Sequence, residues 1–106
     1  MFAREVTMHL KADSQTKFTQ KLEKEIIPLL HLQQGFKDEI SLVVSGGRKA
    51  VAISLWDKKE NAEAYNSTKY QEVLKDMREL IEGTPVVETF KVSNSTWYKL
   101  AAPMAA

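Results

Sequence analysis

The sequence predicts an α+β fold of element order βαββαβ, and three observations carry that expectation. Phe2 to Leu10 alternates apolar and polar positions at a period of two. Phe18, Leu22, Ile26, Leu29 and Leu30 then recur at helical steps of three and four. Ser45-Gly46-Gly47 finally joins two further alternating stretches, as a tight hairpin would. A second helical stretch and a fourth strand complete the order. At 106 residues the chain holds a single domain, expected over 1–100, with AAPMAA at 101–106 as a loose tail.

In strand 1 the alternation puts Phe2, Arg4, Val6, Met8 and Leu10 on one face and Ala3, Glu5, Thr7 and His9 on the other. Asp13 or Ser14 is expected to cap helix 1, whose outward positions are Lys17, Gln20, Lys21, Glu23 and Lys24. Pro28 lacks a backbone donor and should kink or close that helix near Ile27, and Gly35 ends the loop that follows. Strand 2 is expected over Phe36–Val44 and strand 3 over Arg48–Trp56, with the hairpin glycines between them. Asp57 with Glu60 three residues later has the capping-box pattern, so helix 2 should begin where strand 3 stops. It should break at Asn66-Ser67-Thr68, resume through Val73, Leu74, Met77, Leu80 and Ile81, and end at Gly83 with Pro85 blocking continuation. Strand 4 is expected over Val86–Ser93.

That order is the ferredoxin-like, split βαβ arrangement: a four-stranded antiparallel sheet carrying both helices on one face. Strand 3 is apolar on both faces, Val51, Ile53 and Leu55 against Ala50, Ala52 and Trp56, where a one-sided sheet would alternate with polar residues. A second copy is the economical cover, so the expectation is a homodimer built as a dimeric α+β barrel, with Ala52 on the face that awaits it. Trp97 and Tyr98 beyond strand 4 read as dimer packing.

Composition excludes several classes. Without cysteine there is no disulfide frame, thiol nucleophile or cysteine-bound metal. Fifteen basic and fourteen acidic side chains give a net charge of +1, which supplies no field for phosphate, so no nucleic acid and no membrane partner is expected. Arg4 and Glu5 interrupt any early apolar run, and the reading is a cytoplasmic protein. Nucleotide and flavin signatures are missing, and His9 and His31 stand twenty-two residues apart, so neither cofactor nor metal is expected. Strand 3 carries aliphatic residues where single-strand RNA binders of this order carry stacking aromatics.

The densest segment runs Ser54-Leu55-Trp56-Asp57-Lys58-Lys59-Glu60-Asn61-Ala62-Glu63-Ala64-Tyr65-Asn66-Ser67-Thr68-Lys69-Tyr70. It resembles the antibiotic biosynthesis monooxygenase type domain, in which a strand ends on an aromatic, an acidic helix opens, and a His-x-x-Ser/Thr-x-His/Tyr stretch breaks it. Tyr65 stands where relatives often have His, Thr68 at the Ser/Thr, and Tyr70 at the last position. The likeness extends to strand 1, to Gly35-Phe36 and to strand 4. It implies a homodimeric α+β barrel with one pocket per subunit between sheet and helices. Its haem-degrading branch uses an Asn on strand 1 with a Trp and a His on helix 2. This chain has no Asn before Asn61 and no His after His31, so that chemistry does not carry over.

The resemblance points instead to a cofactor-independent monooxygenase acting on a small aromatic or polyketide-like compound. Such an enzyme deprotonates an electron-rich phenol so that the substrate itself reduces dioxygen, and the protein supplies a dry pocket, a proton acceptor and donors for the developing anion. On that mechanism the catalytic candidates are His9 as acceptor and Tyr65 as donor, and the substrate-binding candidates are Trp56 as an aromatic wall with Tyr70 and Thr68. The rival expectations are a non-enzymatic ligand-binding or stress-associated dimer, and a cofactor-free isomerase or lyase on the same scaffold.

Overall fold

Four strands, β1 (Phe2–Leu10), β2 (Phe36–Val43), β3 (Lys49–Trp56) and β4 (Ile81–Lys91), form one antiparallel sheet in the order β2-β3-β1-β4. They belong to a computed structural model that describes residues 1–98. The 101–106 tail lies outside the described residues. The expected α+β, ferredoxin-like order is the architecture found, with the first predicted helix running in three segments and the second in two. The first comprises α1 (Gln15–Lys21), a π-helical segment over Leu22–Ile26, and α2 (Ile27–His31). The second comprises α3 (Lys59–Ser67) and α4 (Lys69–Met77).

Pro28 explains the first division. Its missing N–H disturbs the helical ladder, and just ahead of it the Ile27 N–H donates to the Leu22 carbonyl five residues back, so the chain widens without leaving its helical course. Leu22 and Ile26 stay buried beside Phe18 and Leu30. The second division falls where Asn66-Ser67-Thr68 was expected to interrupt the pattern. The Ser67 and Thr68 hydroxyls donate back to the Glu63 and Ala64 carbonyls, and Thr68 leaves the helical region at φ −120°, ψ −90°.

All the helices cover one face of the sheet. Cross-strand pairs Arg4 with Ser54, Val6 with Ala52, and Met8 with Ala50 place these residues on the same side, and the apolar ones meet Phe18, Leu22, Tyr65, Tyr70 and Val73 in one core. Phe18 and Trp56 are fully buried, each worth about 1.5–3 kcal/mol relative to an exposed position. Ala52 therefore belongs to the covered face, and the face without helices carries Val51, Ile53 and Leu55 with Ile40, Leu42, Val86 and Phe90.

Three local expectations are corrected. Ser14 stands at the N-cap of α1 without a side-chain cap bond, and its hydroxyl turns back to the Ala12 carbonyl. The Asp57/Glu60 capping box does not form, because Lys58 is the N-cap of α3 and the Asp57 carboxylate instead accepts from the Asn61 amide at 2.8 Å. The second helix ends at Met77, and Ile81 already pairs with Leu10 as the first residue of β4. Gly83 and Pro85 thus lie inside a strand. Between the pairs Thr7–Val86 and His9–Glu82, β4 advances four residues while β1 advances two, and Gly83 at φ +69° with the donorless Pro85 occupies the bulge. Glycine and proline punctuate a bulge and a helix end equally well; burial of Ile81 against Leu10 decides between them.

Candidate functional site

Arg4 is the charged member of an otherwise apolar strand face, and the alternation of β1 sends it under the helices, where it is only 3% exposed. Its Nε and Nη2 donate to Asn66 Oδ1 at 3.2 and 2.8 Å. The guanidinium carbon lies 3.9 Å from the centre of the Tyr70 ring and 5.2 Å from that of Tyr65. No carboxylate of the described residues forms an ion pair with it. Burial pulls its pKa below the ordinary arginine value and the two phenols oppose that pull, while guanidinium remains a cation throughout the physiological range.

The break at Thr68 assembles this cluster. In an unbroken helix, residues 65 and 70 would point about 140° apart. With the axis interrupted, Tyr65 and Asn66 from the end of α3 and Tyr70 from the start of α4 all reach Arg4. Tyr65 is held from behind by Trp56, whose ring stacks on it at 5.2 Å and 29°, and whose indole N–H donates to Ser54 Oγ at 2.8 Å. Phe36 meets Trp56 edge-on at 5.6 Å and is itself met by His31. Gly35, at φ +80°, lets the chain pass against Asp57 and Asn61; a Cβ there would collide with the Asp57 carboxylate. Gly35 thereby seats the end of β3 and the start of α3, the two elements that carry Trp56 and Tyr65.

Beneath α4 and the π segment lies a cavity of about 60 Å³, walled mostly by aliphatic side chains. Ala52 and Ser54 open it, because residues this small on the central strand leave the space below the helices unfilled. Its polar lining consists of Arg4, Glu39, Ser54, Tyr65 and Tyr70. Burial pushes the Tyr65 phenol up to about 12, against the pull of Arg4 and with additions from Tyr70 and Glu39. Burial also raises Tyr70, again opposed by Arg4. Both phenols are therefore neutral hydrogen-bond donors near neutral pH. The Glu39 carboxyl is raised by burial and by neighbouring Asp38, with the Ser41 hydroxyl working against both.

Of the residues singled out from sequence, Trp56, Tyr65 and Tyr70 come together in one cluster. His9 does not join them. It shares the uncovered face with Thr7, is exposed, and sits across from Lys49 and Glu82, so as proton acceptor of this cavity it is corrected. The period of two that buries Arg4, Val6 and Met8 sends His9 the other way. Thr68 is exposed and its hydroxyl is engaged by the Ala64 carbonyl, so it shapes the break rather than the cavity wall. Arg4, Asn66, Ser54 and Glu39 were missed. Arg4 alone carried a signal, a cation at the centre of an apolar strand face. Among the described residues, no cluster of three or more histidine or acidic side chains could hold a metal ion, and no helix is long and apolar enough to cross a membrane.

No protein-family model matches the chain, and no curated protein matches it by sequence. Solved structures match it closely in shape. A monooxygenase from the gene ActVA-Orf6 of Streptomyces coelicolor, in complex with nanaomycin D, superposes with a TM-score of 0.76 at 14% identity, over 89% of this chain and 88% of that one. SnoaB, a cofactor-independent oxygenase from Streptomyces nogalater, superposes at 0.73 and 13% identity, over 90% and 95%. The NE2512 protein of unknown function from Nitrosomonas europaea superposes at 0.74 and 16% identity, over 96% and 95%. The chain has the fold of the antibiotic biosynthesis monooxygenase type domain.

Proposed function

We propose that this protein is a homodimeric monooxygenase-type enzyme that oxidises a small electron-rich aromatic or polyketide-like compound without metal or flavin. The observation that carries this reading is the buried Arg4, unpaired with any described carboxylate and flanked by two neutral phenols at an apolar cavity. A cation and donors already fixed in a dry site stabilise an anion that develops on a ligand far better than mobile water does. A deprotonated phenol or enol there would reduce dioxygen, and the carbon-bound hydroperoxide formed would lose water to leave a quinone. Substrate and dioxygen then supply every electron. Two proteins of the same fold described as a monooxygenase and a cofactor-independent oxygenase support the class.

In this reading Tyr65 donates to the developing anion, Arg4 holds its charge, Tyr70 closes the other side of the guanidinium, and Trp56 fixes the Tyr65 ring. The dimer would form through the uncovered sheet face, where Ile40, Leu42, Val86 and Phe90 are 37%, 49%, 67% and 43% exposed. The test is Tyr65→Phe, which keeps the ring and removes one donor. Oxygen uptake with a turned-over phenol should fall by about two to three orders of magnitude while the melting temperature moves little. Unchanged turnover would remove Tyr65 from the chemistry.

The cavity favours a second reading. At about 60 Å³ it is well below the ~300–1,000 Å³ common for small-molecule sites. A non-enzymatic small-ligand-binding or stress-associated dimer would consume no oxygen with any phenol, and the oxygen electrode separates the two.

A further inference from the structure

With His9 outside, the cavity needs another proton acceptor, and the phenols cannot serve because both are held neutral. Glu39 is the one carboxylate among the described residues that lines it. The register makes this so. Glu39 pairs with Ser54 across β2 and β3, and Ser54 pairs with Arg4 across β3 and β1, which puts Glu39, Ser54 and Arg4 in one row on the covered face. The Ser41 hydroxyl, two residues along that face, donates to Glu39 Oε2 and orients the carboxylate.

We infer that Glu39 is the proton acceptor of this cavity and that the ligand it serves is a neutral, weakly acidic phenol or enol rather than a permanent carboxylate. The inference rests on the reading of the cavity as a ligand site and deepens it. In the step, the ligand O–H bond breaks and the proton moves to a Glu39 carboxylate oxygen. The electron pair stays on the ligand oxygen, which becomes an anion beside Arg4 and Tyr65. The cavity keeps its total charge, but the negative charge has moved from Glu39 to the ligand. A ligand that arrives already ionised brings a second negative charge into a cavity that the Glu39 carboxylate already lines, and is repelled.

The surroundings of Glu39 suit the step. Asp38 is its neighbour on β2, Glu23 of the π segment lines the adjoining groove, Ser54 of β3 is neutral, and Arg4 of β1 and Tyr65 of α3 share its cavity. Burial favours its protonated form most strongly and Asp38 adds to it, with the Ser41 hydroxyl opposing, so its proton affinity is brought closer to that of a phenol.

The experiment uses 4-nitrophenol, whose phenolate is coloured, and benzoate, a permanent anion of the same ring size, with wild-type protein and Glu39→Gln. Below the free phenol's own pKa, wild-type protein should bind 4-nitrophenol as the coloured anion with no proton released to the buffer, and should prefer it to benzoate by about tenfold or more. Glu39→Gln, an uncharged mimic of the protonated acid, should release one proton for each phenolate bound and should bind benzoate about tenfold more tightly than wild type. Release of a proton by the wild type, binding without the coloured anion, or no binding at all would overturn the inference, and none of these needs the variant to fold. Retention of the proton with no oxygen uptake from any phenol would leave Glu39 in its role and remove the oxygenase reading instead.

Discussion

The two faces of the sheet have similar apolar character along β3 and opposite uses. The covered face carries Ala50, Ala52, Ser54 and Trp56; the uncovered face carries Val51, Ile53 and Leu55. The larger aliphatics thus lie on the side without helices, and the small and polar residues lie beneath them. The cavity exists because small side chains do not fill the space under α4. Arg4 is tolerated there because Asn66 and two aromatic rings stand in for its water. Apolar content alone does not say which face the helices will cover. Side-chain size and the odd polar residue mark which face leaves a cavity.

The largest expected effect lies on the covered face. Trp56→Ala removes a fully buried ring with three aromatic or polar partners and should cost about 3–5 kcal/mol, read as a fall in denaturation midpoint. A midpoint within error of wild type would break the contrast drawn between the faces. Next, Ile53→Asp puts a carboxylate at the centre of the uncovered face, opposite Glu5 and Ile40. Light scattering should shift from the proposed dimer to a folded monomer of about half the mass, since an unpaired carboxylate is costly to bury between two sheets. A dimer that survives would put the interface elsewhere.

The third effect sharpens the polar part of the covered face. Tyr65 has a folded pKa of about 12 against 10.0 for an ordinary phenol. Folded and unfolded chains are both neutral there below pH ~10, so the full stability is present; it is lost as pH rises through the folded value, because only the unfolded phenol ionises early. The loss attributable to this one group is about 2 to 3 kcal/mol. Tyr65→Phe should therefore unfold less steeply between pH ~10 and ~12. An identical alkaline profile would mean that the hydroxyl is not buried. The smallest effect is at His9, where His9→Ala should change subunit stability by less than about 0.5 kcal/mol and leave turnover intact. Lost turnover would return it to the site.

Much of this was legible in residue order. Strict alternation in β1, the glycine pair in the hairpin and the Asn66-Ser67-Thr68 break each act through the local backbone, and each lies where the sequence places it. Gly83 and Pro85 misled because both residues end helices and also occupy bulges. Asp57 misled because the Asn61 amide, one helical turn on, took the carboxylate intended for a cap. Of the site, the aromatics were visible, Arg4 was signalled only by its place on an apolar strand face, and Glu39 carried no signal. Glu39 reads as an ordinary polar position on an edge strand until the register sets it in one row with Ser54 and Arg4.

By itself, then, the sequence determined the element order, the antiparallel sheet and the two-faced apolar strand at its centre, because periodicity, turn chemistry and backbone breaks are local properties. Only the tertiary structure decided which face the helices cover, and with it that Arg4 is inside and His9 outside. That choice depends on how amphipathic helices dock on a sheet whose two faces are almost equally apolar, and a difference so small along each strand is settled by packing across all of them together.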